Sequence, residues 1–353
     1  MLIAGVIGTG IGLVRAKASQ LRAEDREREA QTETRKANKS IDFLVGMLTS
    51  ASPDESAGRE VTVREVLDRA AERTTRELRD DPEVMETISS AIGRTYEAIG
   101  KLDAAKQHLD TAGRLALDLQ GPESVEFRAL LLHQASLAAH DRRWVDAQSL
   151  GERAMAILRP KVAANDHRLA GAAAAVGLAL AAQRKYDPAI PLLREALSIY
   201  ASGGREEGDE SAQTMRTLGL TLGRKGGKDE LAEGEKTLKR AVDMQRRSFG
   251  EQNPRYGAAV GDLASFYFTQ SRSVDAKPLF EESAAIFAKA YGPNDRRTLE
   301  HVSSLGRTYM QLGDLDKAEE MGRRAVDGFA ATGQGETSEA ASALSRLGSI
   351  LTL

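Results

Sequence analysis

The sequence predicts an all-α solenoid built from antiparallel helical hairpins, and three observations carry that expectation. Aromatics are only 5% of the chain and prolines 9 of 353 residues, while Ala, Leu, Glu and Arg abound; this composition favours helices. Small residues recur at positions 93, 135, 177, 219, 264, 306 and 348, in steps of 42, 42, 42, 45, 42 and 42. After each of the first six, about twelve residues on, comes a second small residue, from Ala105 to Ala318. A register kept over six intervals marks a repeat array, so length alone does not count domains here.

The elements follow in chain order. Residues 1–14 contain LIAGVIGTGIGLV, thirteen uncharged residues, with Gly8 and Gly12 in GxxxG spacing. A full membrane span needs about 20, so this reads as a truncated transmembrane or apolar segment that tethers the chain to a membrane. Cytoplasmic residence is the alternative. Residues 15–40 carry mixed charge with no apolar stripe and read as a juxtamembrane helix or linker. Residues 41–85 read as a degenerate capping repeat, with Val63, Leu67 and Ala70 in its second helix.

From residue 86 to 353 six repeats follow, plus a partial seventh. Small residues such as Gly93 and Ala105 are expected where two helices touch, because larger side chains would push the axes apart. Tyr96, Tyr267 and Tyr309 are expected to fill the space beside that contact. Ala105, Leu109 and Ala112 show the apolar spacing of a second helix, as do Ala189, Leu193 and Ala196. The single step of 45 is expected to come from a lengthened turn, Lys225–Gly226–Gly227–Lys228–Asp229–Glu230. One hairpin cannot bury both faces, so neighbours must stack. The final half repeat leaves Leu344, Leu347 and Leu351 as an apolar face, which suggests truncation or self-association.

The small, aromatic and alanine positions resemble the tetratricopeptide repeat over residues 86–353. That family's fold is a right-handed superhelical solenoid. The 42-residue period and the loop Tyr291–Gly292–Pro293–Asn294–Asp295 are similar to the kinesin-light-chain type of repeat. Repeat six, Leu299 to Ala325, matches best. Repeat two matches least, with Gln134, Ala138 and Gly151 where larger apolar residues are usual. Where repeats of that type carry paired Asn, this chain has Ser90–Ala91, Gly261–Asp262 and Ser303–Ser304. The stretch beginning IDFLVGMLTSASP is also similar to the start of the C-terminal sensor region of bacterial transmembrane Ser/Thr protein kinases.

Several chemistries find no residues. With no cysteine there is no disulfide and no thiolate metal site. Lys plus Arg total 49 against 52 for Asp plus Glu, a net charge of −3, which disfavours nucleic acid as a partner. His167–Arg168 is followed by Leu169, so no kinase catalytic loop exists. Gly223 to Lys228 lacks the spacing and the hydroxyl of a phosphate loop. His108, His133, His140, His167 and His301 read as lone surface or groove histidines rather than metal ligands. No cofactor, metal or catalytic set is expected, and the chain reads as a non-enzyme.

The expected function is a protein-interaction scaffold whose first helices line a concave groove. Its groove positions, in register, are Arg94 and Glu97, Ser136 and His140, Arg216 and Arg224, Ser265 and Phe268, and Arg307 and Met310. Four arginines among them suit an acidic or carboxylate-ended peptide or protein. The alternative is the sensor or regulatory part of a membrane-bound Ser/Thr kinase whose catalytic domain is absent from this chain.

Overall fold

The computed structural model describes residues 62–352 except 334 and 336, together with residues 20, 27, 30–31, 33–43 and 45–47. The apolar start at 1–14 lies outside the described residues. Among the described residues, no helix is long and apolar enough to cross a membrane. The chain divides into two compact units, Met1–Asp141 and Arg142–Leu353. The division falls inside repeat two, the weakest match to the repeat pattern.

In the first unit, α1 (Val63–Glu77), α2 (Pro82–Ala98), α3 (Leu102–Gln120) and α4 (Val125–His140) pack in sequence. Thr62 begins α1 with a reciprocal cap: its hydroxyl accepts from the Glu65 N–H, and the Glu65 carboxylate accepts from the Thr62 N–H. Helical residues between 33 and 43 also belong to this unit. Phe43 among them is buried, and Arg73 of α1 stacks over its ring at 5.4 Å.

Among its described residues the second unit holds ten helices. They are α5 (Trp144–Leu158), α6 (His167–Ala182), α7 (Tyr186–Ser202), α8 (Asp209–Lys225), α9 (Lys228–Phe249), α10 (Pro254–Thr269), α11 (Ser273–Tyr291), α12 (Arg296–Gln311), α13 (Leu315–Ala331) and α14 (Ser338–Leu351). Each packs on the next. The backbones of the first helices of successive repeats, α6, α8, α10, α12 and α14, also approach one another, whereas those of the second helices α5, α7, α9, α11 and α13 do not and meet through long side chains such as Arg194 and Glu233, 2.5 Å apart. A stack drawn closer on one side must curve toward it. The first helices therefore form the inner wall of this unit.

Small residues set the closeness of each hairpin. A Cβ added to Gly93 would stand 2.8 Å from Leu109 Cγ, and one added to Gly177 would stand 2.7 Å from Leu193 Cγ. The alanine at the start of the second helix, expected at this contact, is fully buried, and its carbonyl in Ala189 lies 3.4 Å from the Cβ position of Gly177. The glycine also receives the leucine one turn further along, which is fully buried in both cases. Repeat six differs. Gly322 takes the place of that leucine, and a Cβ on Gly306 would meet only Ala318 O at 3.3 Å and atoms beyond it.

The step of 45 also has a different cause from the one expected. The turn is only Gly226 and Gly227, at φ 78° and 101°, and the added residues lie in α9, which reaches 22 residues. Asp229 and Glu230 in its first turn favour helix there. Lys225, the last residue of α8, pairs with Glu230 at 3.4 Å and with Asp187 at 2.9 Å.

Two loops follow one local plan. Asn253 and Asp295 cap α10 and α12, each side chain accepting the N–H of the arginine two residues on. Arg255 then folds back over Phe249 at 4.6 Å, and Arg297 over Tyr291 at 3.4 Å. Gly250 and Gly292, at φ 79° and 99°, make the bend that side-chain-bearing residues rarely adopt.

The tyrosines in register reach backward as well as filling space. Tyr96 donates its hydroxyl to Asp68 of α1 at 2.7 Å, Tyr267 to Glu235 of α9 at 2.9 Å, and Tyr309 to Glu281 of α11 at 2.9 Å. Each bond ties a first helix to the second helix of the repeat before it. Burial and the adjacent Glu281 carboxylate push the Tyr309 hydroxyl up to about 12. Tyr309→Phe keeps the ring and removes the bond; a loss of about 1 kcal/mol is expected from the urea midpoint. An unchanged midpoint would mean that the bond adds nothing beyond ring packing.

Candidate functional site

The inner wall of the second unit carries most of the groove positions named from sequence. Its half-buried stripe follows helical spacing: Asp262 and Ser265 on α10, then Glu300, Ser304 and Arg307 on α12. Some wall side chains bond across to the next first helix, while Ser265 and Ser304 bond back to carbonyls of their own helices. Arg216 of α8 meets Asp262 of α10 at 2.6 Å, with both side chains 24% exposed. Gln270 of α10 donates to the Gly223 carbonyl of α8 at 3.1 Å. Arg346 of α14 donates to the Ser303 hydroxyl of α12 at 2.9 Å.

This changes what the expected residues offer. Arg216 already holds a carboxylate, so a ligand would have to compete with Asp262. Phe268 is 8% exposed and sits in the core beneath Arg307, whose guanidinium lies 4.4 Å from the ring centroid. Met310 packs against that same core. Arg307 forms no ion pair among the described residues, and burial lowers its pKa from the usual arginine value. Arg224 is exposed near the end of α8. Ser265 spends its hydroxyl on the Gly261 carbonyl at 2.9 Å.

In the first unit the expected residues Glu97, Ser136 and His140 do come together. Ser136 of α4 donates to the Glu97 carboxylate of α2 at 2.7 Å, and His140 Nδ1 lies 3.6 Å from it. Arg94 is exposed one turn back on α2 and donates to the Ser90 carbonyl at 3.4 Å. His133 is pushed below the ordinary histidine value by burial first and by Arg94 second, with Glu97 opposing.

Two wall residues escaped the sequence reading. Arg346 was not singled out, and His301 was read as a surface or groove histidine. His301 is largely buried and stacks on Phe287, with ring centroids 4.9 Å apart and planes 11° from parallel. Its Nδ1 is 3.5 Å from the Ser283 hydroxyl. Burial lowers its pKa to about 4. A search for complementary residues one period apart would have found the arginine, since Arg346 and Ser303 are separated by 43 positions. Of the apolar face expected on α14, Leu347 is buried, while Leu344 and Leu351 are exposed.

Paired helices, stacked in order with small residues at each crossing and an inner wall of first helices, define a tetratricopeptide-repeat solenoid. The family model of the tetratricopeptide repeat matches residues 169–202 and 256–331. The particular likeness is to kinesin light chains. Protein KINESIN LIGHT CHAIN-RELATED 2 of Arabidopsis thaliana is 25% identical over 66% of this chain and 35% of its own length. The chain thus spans about a third of the curated relatives it matches. The crystal structure of BtubC (BKLC) from P. vanneervenii has a TM-score of 0.51 at 23% identity, covering 66% of this chain and 91% of that one. A Rap protein complexed with Competence and Sporulation Factor has a TM-score of 0.60 at 15% identity, covering 90% and 87%. At these identities the likeness to solved structures is one of fold.

Proposed function

We propose that this chain is a non-catalytic scaffold whose inner first-helix wall binds a segment of a partner protein or a peptide. The observation that carries this reading is the wall itself. It is the closely packed side of the repeat stack, and it holds half-buried arginines without carboxylate partners. Arg307 is held in place on Phe268 before any ligand arrives, which limits the ordering cost of binding. Arg307 and the exposed Arg224 favour an acidic segment. The Rap protein of similar fold was solved with a bound factor, which supports a ligand on this type of architecture.

The test is site-specific photo-crosslinking in the native host. A photoreactive residue would replace Arg224 on the inner wall, and in a second protein Lys236 on α9. Adducts from position 224 with few from 236 are the expected result. Adducts from 236 alone would move the binding surface to the second helices and overturn the reading.

A further inference from the structure

The first helix of repeat seven, α14, leaves one face bare. In repeat six the corresponding face of α12 is Leu299, Val302, Gly306 and Tyr309, and all four are buried. The second helix α13 covers them. Leu299 and Val302 share a core with Ala325 and Phe329, Tyr309 packs in one with Ala318, and Gly306 lies against the Ala318 carbonyl. One period of 42 residues on, the same positions of α14 hold Ala341, Leu344, Gly348 and Leu351. All four are exposed, Leu344 by 59% and Leu351 by 52%. Nothing lies within 4 Å of where a Gly348 Cβ would stand. The opposite side of α14, with Ala340, Ala343, Leu347 and Ile350, is buried against the preceding repeat.

Two features of the bare face select its occupant. It carries no charge. The two ionisable residues of α14 are engaged with α12, Glu339 with Arg296 at 3.6 Å and Arg346 with the Ser303 hydroxyl at 2.9 Å. A charged partner would find no counter-charge there. The face is also complementary to itself in size. Laid antiparallel about the level of residue 346, two copies of α14 set each Leu344 against a Gly348 and each Leu351 against an Ala341. Leucine against glycine is how this chain closes its own hairpins, at Gly93 with Leu109 and at Gly177 with Leu193. Two-fold symmetry makes each pairing twice, as an isologous contact requires.

We propose that the bare face of α14 is a dimer contact whose occupant is α14 of a second copy of this chain. The inference is independent of the inner wall. The contact is short, since the 14 residues of α14 make about 21 Å of helix. Its area falls below the range of stable complexes, about 1,200–2,000 Å², so dissociation lies in the micromolar range or weaker.

Sedimentation equilibrium of the full chain between about 10 and 500 µM should show monomer giving way to dimer. Leu344→Ala removes the inserted side chain, and Gly348→Leu fills the notch that receives it. Each should weaken association by about tenfold or more. Both positions are exposed in the single copy, so at low concentration both variants should keep the helix content of the parent. The double variant Leu344→Ala/Gly348→Leu again sets leucine against a small residue at both places and should recover most of the lost affinity. The chain has no cysteine, so disulfides can report the register. A copy with Ala341→Cys mixed with a copy with Leu351→Cys should cross-link readily. Either copy alone should not, because its two thiols stand about 15 Å apart along the antiparallel pair, too far to bridge. A chain that stays monomeric over the whole range leaves the face to a helix of another protein and overturns the proposal. So does a dimer indifferent to both single variants, a double variant no tighter than either single one, or equal cross-linking in all three cysteine samples.

Discussion

Gly219→Ala should destabilise the chain by about 1–3 kcal/mol, the usual range for overpacking a filled core. The new Cβ would stand 2.5 Å from Leu238 Cγ and 3.0 Å from the Gly234 carbonyl. Leu238 is completely buried and belongs to a core cluster with Phe266 and Phe280. It cannot swing outward, and the carbonyl is backbone, so α8 and α9 must separate. The same register position gives a graded series. At Gly306 the nearest atom is 3.3 Å away, so alanine there should cost less. At Gly348 nothing lies within 4 Å. Alanine at that position should stabilise α14 by about 0.5–1 kcal/mol, because it removes glycine's backbone entropy from a helix interior. Urea midpoints of the three variants check the order. If Gly219→Ala matched Gly348→Ala, the close hairpin crossing would not be what holds the repeat together.

That series shows what the sequence could and could not disclose. The repeat register was legible because close helix crossings admit only small side chains, and the chain meets that demand at regular intervals. The further filling of the crossing by Leu109 or Leu193, one turn beyond the alanine, was not legible. It depends on how far one helix slides along the other, which the period does not encode. The extra residues between Gly219 and Gly234 were visible, but not that they extend α9, since two glycines suffice for the turn. The groove positions were legible as a helical stripe. Their cross-wall occupation was not, because such a partner sits on another helix about one period away: Asp262 is 46 residues from Arg216, and Ser303 is 43 from Arg346. Tyr309 was placed in the right gap, but its bond to Glu281 joins two repeats and leaves no mark on local periodicity.

The other large effect concerns His301. Its pKa near 4 in the folded state lies below the ordinary histidine value of 6.5. Between those two pH values the unfolded chain binds more protons than the folded one, so stability rises with pH. The contribution is complete above about pH 6.5 and is lost as pH falls toward 4. Going from pH 6.5 to 5 should remove about 2 kcal/mol, at 1.36 kcal/mol for each unit of pH. The cause is packing. The ring lies on Phe287, and a Cβ on Gly261 would meet it at 2.3 Å, so a glycine on α10 makes its room. Asp262 favours the protonated ring and Arg216 opposes it, but these two are bonded to each other and their effects offset. Glu300 works in the opposite sense. Burial raises its pKa, so its contribution is greatest at low pH and declines as pH rises. Glu235 and Asp166 are held down to about 2 by their cationic partners and lose their contributions only below the ordinary carboxylate range. The difference between the parent and His301→Phe therefore isolates the imidazole. Phenylalanine keeps an aromatic ring against Phe287 and cannot titrate. Urea unfolding of both proteins at pH 7 and pH 5 should show a pH-dependent loss in the parent that is smaller by about 2 kcal/mol in the variant. Parallel losses in the two would mean that the ring is hydrated and takes up its proton without disturbing the wall.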